Sequence, residues 1–196
     1  MGLLGASNHA TWRIERARSI ARAAGRPAYQ CVQQEHSYLL PQPHPGQLNL
    51  VTEELIDYAT AEDLTLLAYS PLLKGVYARP GQAPPAAYDH PGNRPRLAVL
   101  GEVAAELGAT PSQVVLAWLM QGAPPMIPVV GASSVAQLDE LLGATELDLD
   151  SDVRARLDAA GVAAGGWDQA RSVGRMDTAT ARVATPIPAR ARNGRR

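Results

Sequence analysis

Four apolar runs in this chain end in short polar clusters: Ser7-Asn8, Gln33 with Glu35, Tyr69-Ser70 and Gly131 to Ser134. These are uncharged hydrogen-bonding groups with one carboxylate and one aromatic ring. Such a set suits holding a ring, an amide and phosphates better than it suits hydrolysis. Gly131-Ala132-Ser133-Ser134 runs into a helical pattern, whose first N–H groups and dipole favour a phosphate. Any strand-turn-helix junction needs small residues too, so a purely structural reading of that turn stays open. Tyr69 could equally fill core and Gln33 satisfy neighbouring backbone. The histidines, His9, His36, His44 and His90, have neither metal-ligand spacing nor a nucleophile to serve, and read as loop residues. No metal site is predicted. Cys31 is the one cysteine, lies in an apolar run and reads as a small core residue with no disulfide framework.

The elements that must position these groups follow from periodicity. Strands near residues 2–8, 28–35, 64–70 and 126–130 alternate with helical patterns, which means parallel βαβ units. In such folds ligands gather at the carboxyl ends of the strands, where the polar clusters lie. A (β/α)8 barrel needs eight units and roughly 250 residues; four units are present here, a half barrel. The first helix runs through Ala24 with Ile14, Ala17, Ile20 and Ala21 on one face, and Gly25-Arg26-Pro27 stops it. A polar, proline-rich loop spans His36 to Gln47, and a helix over Val51 to Ala61 turns Leu55, Ile56 and Ala59 inward. The third strand is apolar throughout and reads as buried on both faces. Pro71 to Pro95 holds six prolines and three glycines, the character of a binding loop or lid. A helix follows over Arg96 to Leu107. Thr110-Pro111-Ser112-Gln113 is a capping box opening the next, to about Gln121. The helix over Val135 to Ala144 packs Leu138, Leu141 and Leu142, and Asp150 caps a last short helix, Val153 to Ala160.

With 196 residues and 46% hydrophobic content, the chain has material for one globular domain. It shows no run of membrane-span length and no signal segment after Met1, so a cytoplasmic protein with no membrane partner is expected. The net charge of −1 divides unevenly: residues 166–196 carry +5 and the rest −6. That Arg/Ala-rich tail has no aromatic interleaving beyond Trp167. It reads as a disordered segment, 163–196, rather than a nucleic-acid or lipid-binding arm.

Taken together, the motifs are more specific than any one of them. Gly5-Ala6-Ser7-Asn8, Val32-Gln33-Gln34-Glu35, Leu67-Ala68-Tyr69-Ser70-Pro71-Leu72, Gly108-Ala109-Thr110-Pro111-Ser112-Gln113 and Ile127 to Leu138 occur in that order. The series resembles the second half of an aldo-keto reductase, closest in pattern to the branch with potassium-channel β-subunits and similar bacterial reductases. The resemblance spans residues 1–162. It implies strands five to eight of a (β/α)8 TIM-type barrel, a NAD(P)H-dependent oxidoreductase, NADPH as cofactor and a small-molecule carbonyl substrate. It assigns Ser7, Asn8 and Gln33 to the nicotinamide carboxamide and Tyr69 to the stacked nicotinamide ring. Ser70 and Leu72 fall at the pyrophosphate, Gly131, Ser133 and Gln137 around the adenosine phosphate, and Glu140 at the adenine amine. Leu141 stands where the family usually has asparagine. Arg79, Arg94 and Arg96 lie where the family often places a basic residue on the 2′-phosphate. Glu35 reads as a barrel-mouth salt bridge in preference to a site role.

The family's proton relay of aspartate, tyrosine, lysine and histidine comes from the loops after strands one to four. This chain offers no counterpart, and Lys74 lies in a different loop, so no catalytic residue is assigned. Three readings follow: a fragment of a longer reductase, inactive alone; a nucleotide-binding or interaction module without chemistry; or a half barrel that pairs with another. Open strand edges would carry self-association. The fragment reading is favoured.

Overall fold

The computed structural model describes residues 2–44, 49–79 and 81–161. The disordered-tail expectation for 163–196 therefore lies outside the described residues. Four parallel strands stand in the order β1-β2-β3-β4, with β1 Gly5–Ser7, β2 Cys31–Glu35, β3 Thr65–Tyr69 and β4 Met126–Val129. Helices α1 (Thr11–Ala23) and α2 (Glu53–Ala61) make the first two crossovers, while α3 (Asn93–Glu106) and α4 (Pro111–Met120) make the third. Helices α5 (Val135–Leu142) and α6 (Ser151–Ala159) follow the last strand. This is a partial (β/α)8 barrel.

Alternation along the strands sorts the residues by face. Ala6, Val32, Leu66, Ala68 and Met126 are buried beneath the helices, against Ile14, Leu55, Leu100, Val103, Val114 and Val115. On the other face the register aligns Ser7, Gln33, Leu67 and Ile127 in one row, and Glu35, Tyr69 and Val129 in the next. Gly5 pairs with Cys31 at the start of that face, and a Cβ on Gly5 would lie 2.7 Å from the Cys31 Sγ. A side chain at Gly5 would therefore require the Cys31 Sγ to move.

Helix starts are set locally. Thr52 accepts from the Leu55 N–H, Asp150 from the N–H groups of Asp152 and Val153, and Thr110 with Gln113 completes the capping box.

Several expectations about sidedness are corrected. In α1 the inward residues are Thr11, Ile14 and Arg18, while Ile20 is 61% exposed. The Arg18 guanidinium has strong partners on neighbouring elements, so the helix rotates toward them. In α5 only Leu141 is buried, with Leu138 and Leu142 exposed. Strand β3 buries Leu66 and Ala68 but leaves Leu67 and Tyr69 half-exposed, so one face of it is open. The loop after β2 is not simply polar. Tyr38 and Leu39 are core residues, and the Tyr38 hydroxyl donates to the Leu157 carbonyl at 3.0 Å. Burial pushes the Tyr38 phenol up to about 12, against the opposing pull of Arg96.

Among the described residues no single helix is long and apolar enough to cross a membrane.

Candidate functional site

At the carboxyl ends of the strands a chain of hydrogen bonds joins three of the four polar clusters. The Tyr69 hydroxyl donates to Asn8 Oδ1 at 3.0 Å and accepts from Asn49 Nδ2 at 3.1 Å. Asn49 Nδ2 also donates to Glu35 Oε2 at 2.8 Å, and the Tyr88 hydroxyl donates to Glu35 Oε1 at 2.7 Å. The Asn8 backbone N–H donates to Oε1 of buried Gln34 at 2.7 Å, and Asn8 holds φ 59°, a left-handed conformation that asparagine tolerates. Ser7 and Gln33 pair directly across β1 and β2, half-buried on the open face. Ser7, Asn8, Gln33 and Tyr69 thus present carboxamide, hydroxyl and ring within one surface.

Glu35 is held by neutral donors, Asn49 and Tyr88, which replaces the salt bridge expected from sequence. Burial raises the Tyr88 phenol well above its ordinary value, with the hydrogen bond to Glu35 and that carboxylate's charge adding to the shift.

A cleft of about 530 Å³ opens beside this surface, between the loop after β3 and the N-terminal ends of α4 and α5. It gathers Ser70, Leu72, Arg79, Gly131, Ser133, Gln137 and Glu140, seven of the residues singled out from sequence. The loop wall bends sharply, with left-handed φ values of 53° at Ser70, 46° at Leu73, 58° at Lys74 and 90° at Gly75. Each such non-glycine residue costs about 1 kcal/mol, and strain of this kind concentrates at ligand clamps. Opposite, Ser134 caps α5 by accepting from the Gln137 N–H. The Ser133 backbone N–H and hydroxyl both donate to Gln137 Oε1, at 2.7 and 3.0 Å. Two donors converge on one oxygen there, as they would on a phosphate oxygen.

Glu140 lines the far wall. Its carboxylate accepts from the Thr110 hydroxyl, and its carbonyl accepts from Gln113 Nε2 at 2.7 Å, which ties α5 to the capping box of α4.

The arginines separate. Arg79 is exposed at the cleft, with a 3.4 Å contact to Gln82, and Arg94 is exposed outside it. Arg96 is 4% exposed; it donates to the Tyr38 carbonyl at 3.1 Å and lies 5.2 Å over the Tyr38 ring. The structure therefore does not bring Arg96 to the cleft; its guanidinium is engaged in the core around Tyr38.

Four residues at these two places escape a sequence reading: Asn49, Tyr88, Lys74 and Ser112. Asn49 precedes α2 in an otherwise unremarked turn and reaches Glu35 only because the segment at Leu50 bridges the end of β2. Among the described residues no group of three or more His, Cys, Asp or Glu could hold a metal ion.

Comparison with known proteins supplies the context. The sequence model of the Aldo/keto reductase family matches residues 2–162. An uncharacterized oxidoreductase of Mycobacterium bovis is 34% identical over 165 residues, covering 78% of this chain and 48% of the relative. Pyridoxine 4-dehydrogenase of Escherichia coli is 51% identical over 59 residues, covering 30% of this chain and 21% of that enzyme. A solved thermostable aldo-keto reductase with the inhibitor epalrestat superposes at a TM-score of 0.58 and 26% identity, covering 80% of this chain and 47% of that one. The aldose reductase of Schistosoma japonicum, at 20% identity and a TM-score of 0.57, shares the fold, with 80% and 40% covered. The chain spans less than half the length of each.

Proposed function

The chain belongs to the aldo/keto reductase family, and from that premise we propose that its four units bind NADPH for a carbonyl-to-alcohol oxidoreductase. The single observation that carries this reading is the cleft, which gathers loop, helix N-terminus and arginine around one volume beside the Tyr69 surface.

The donor set fits a dinucleotide. Asn8 and Gln33 offer amide groups to a carboxamide, and the Tyr69 ring offers a flat face to the nicotinamide. The Ser133 N–H and hydroxyl, which converge on Gln137 Oε1, can pass to a phosphate oxygen, with Gln137 turning its amide so that Nε2 donates there too. Arg79 adds charge in a fork suited to phosphate. When bound, the nicotinamide supplies a hydride; these residues bind and orient it. The proton relay is assigned to other parts of a complete barrel, so the 196-residue chain is expected to reduce no aldehyde or ketone by itself.

Titrating the purified chain with NADPH and following cofactor fluorescence tests the reading. Saturable binding, weakened by Tyr69→Ala and Gln137→Ala, is expected. No spectral change at millimolar NADPH would remove it.

A second reading, a module that pairs with another half barrel, is favoured by the open sheet face, where Ile127 is 54% and Val129 40% exposed. Its distinguishing mark is a concentration-dependent mass with or without NADPH.

A further inference from the structure

Helix α1 follows the first strand of the sheet and α5 the last; α1 packs on α2, and α5 on α4. The flank of each that faces away from that neighbour carries exposed apolar side chains beside charges without ion-pair partners. Resting on the second reading above, pairing with another half barrel, we propose that the partner is a second copy of this chain. The cationic flank of α1 in each copy seats on the acidic, apolar flank of α5 in the other.

The α5 flank is the larger apolar surface. Among the described residues ten large apolar side chains are exposed, and six of them fall between Ile127 and Leu142. Three of the six share one face of α5 by their spacing: Val135, Leu138 and Leu142, exposed by 75%, 42% and 54%. That face points away from α4, because Glu140, tied to Thr110 and Gln113, lies on the other side. A single exposed leucine is ordinary, whereas a stripe that continues the open face of β4 marks a contact surface. Asp139 lies on the same face, a turn after Val135 and a turn before Leu142, and Glu146 lies a turn beyond Leu142. Both are exposed, and none of the ion pairs among the described residues includes either.

The α1 flank is its complement in charge. Thr11, Glu15 and Arg18 turn toward α2, where they bond to Glu54, Tyr58 and Glu62. Arg13, Arg16 and Ile20 recur at helical spacing on the other side, and all three are exposed. Arg13 lies 5.1 Å over the exposed Trp12 ring, and among the described residues neither Arg13 nor Arg16 has a carboxylate partner. Setting α1 against α1 would bring four arginines together, and α5 against α5 four carboxylates. Charge therefore selects α1 on α5. A single contact of that kind leaves one flank of each sort unused on every pair and adds copies in a line. A two-fold axis uses all four flanks at once and closes the assembly at two copies, with the open faces of the two sheets turned toward each other.

The test is sizing with light scattering on the full chain over a concentration series, with thermal melting at the lowest concentration to report the fold. Wild type should pass from the mass of one chain to that of two and no further. Arg13→Glu with Arg16→Glu reverses one flank, and Asp139→Arg with Glu146→Arg reverses the other. All four sites are exposed, so both variants should melt as the wild-type monomer does. Like charges then meet at both contacts of a pair, and each variant alone should have a dimer dissociation constant raised about a hundredfold. An equimolar mixture of the two variants meets opposite charges at both contacts and should recover a one-to-one pair. Misfolded variants would not recover, and a purely apolar association would not have been lost. Dimers of unchanged strength in both variants, or a mixture no tighter than its parts, overturn the proposal and keep pairing through the open face. A wild-type mass that never rises overturns it together with the second reading. A mass that grows past two chains overturns the two-fold closure.

Discussion

Tyr69 keeps its ring at the end of β3 because its hydroxyl is held from two sides, by Asn8 and Asn49, and Asn49 is in turn held by Glu35. The hydroxyl fixes the ring, and the ring is the surface that the proposed function offers to NADPH. Tyr69→Phe should therefore lower stability by about 1 kcal/mol, the net contribution of such a contact, while NADPH affinity changes by less than about threefold, within about 0.7 kcal/mol. Tyr69→Ala should abolish most of that affinity. Equal damage from both variants, in parallel melting and fluorescence titrations, would move the role from ring to hydroxyl. Buried phenols make a second prediction. Burial raises Tyr77 to about 12, with its hydrogen bond to Ser37 opposing, and Tyr38 is likewise near 12. Their folded values lie above the ordinary value near 10. The stability they contribute is complete below about pH 10 and is lost as pH rises through about 12, because the unfolded chain ionises first. The melting temperature should fall steeply over that window, alongside phenolate absorbance. A flat profile would contradict the burial of both rings.

Helix α1 is fixed to its neighbours by a guanidinium rather than by an apolar stripe. Arg18 donates to the Tyr29 carbonyl at 3.0 Å, the Tyr58 hydroxyl at 2.9 Å and Glu62 Oε2 at 2.9 Å. Arg22 reaches the same carboxylate at 2.6 Å, and this contact, with that of Arg18, holds the Glu62 carboxyl below its usual range. Arg18→Met should cost about 2 kcal/mol, since it leaves the Tyr29 carbonyl without its donor, while Arg22 still pairs with Glu62. Ile20→Lys, at a 61% exposed site, should change stability by less than about 0.5 kcal/mol. Melting curves of the two variants decide which stripe of α1 faces inward. The contrast also explains what was legible in the sequence. Thr110 with Gln113, Thr52 and Asp150 are legible because a cap bonds within three residues of itself. The strand-end clusters are legible because alternation and turn chemistry are local too. Arg18 and Asn49 are not, because what defines them lies on another element. Arg18 bonds to residues 11, 40 and 44 positions away, and the spacing of Ile14, Ala17 and Ile20 is equally helical. Arg96 fails for the same reason: its partner Tyr38 is 58 residues earlier.

The sheet as a whole has one face packed under helices and one open, and the open face is where pairing with another half barrel would be tested. Strand edges are the weaker candidates. Strand β1 is three residues long, and β4 carries Pro128, which lacks an N–H; short edges and proline both discourage strand addition. The face offers more. Ile127 and Val129 are 54% and 40% exposed, adjoining half-exposed Leu67 and Tyr69 in the same two rows. Covering apolar surface of this kind is favourable by about 25 cal/mol per Å², and patches of this sort mark interaction sites. If the half barrel associates, it should do so through this face, with a mass that rises with concentration in sizing with light scattering. The double variant Ile127→Glu with Val129→Glu should then return it to a monomer with unchanged melting, because neither side chain is in the core beneath the helices. A variant of the β4 edge alone should leave the association in place. A wild-type monomer across the concentration range would count against pairing and leave the open face for a larger barrel to cover.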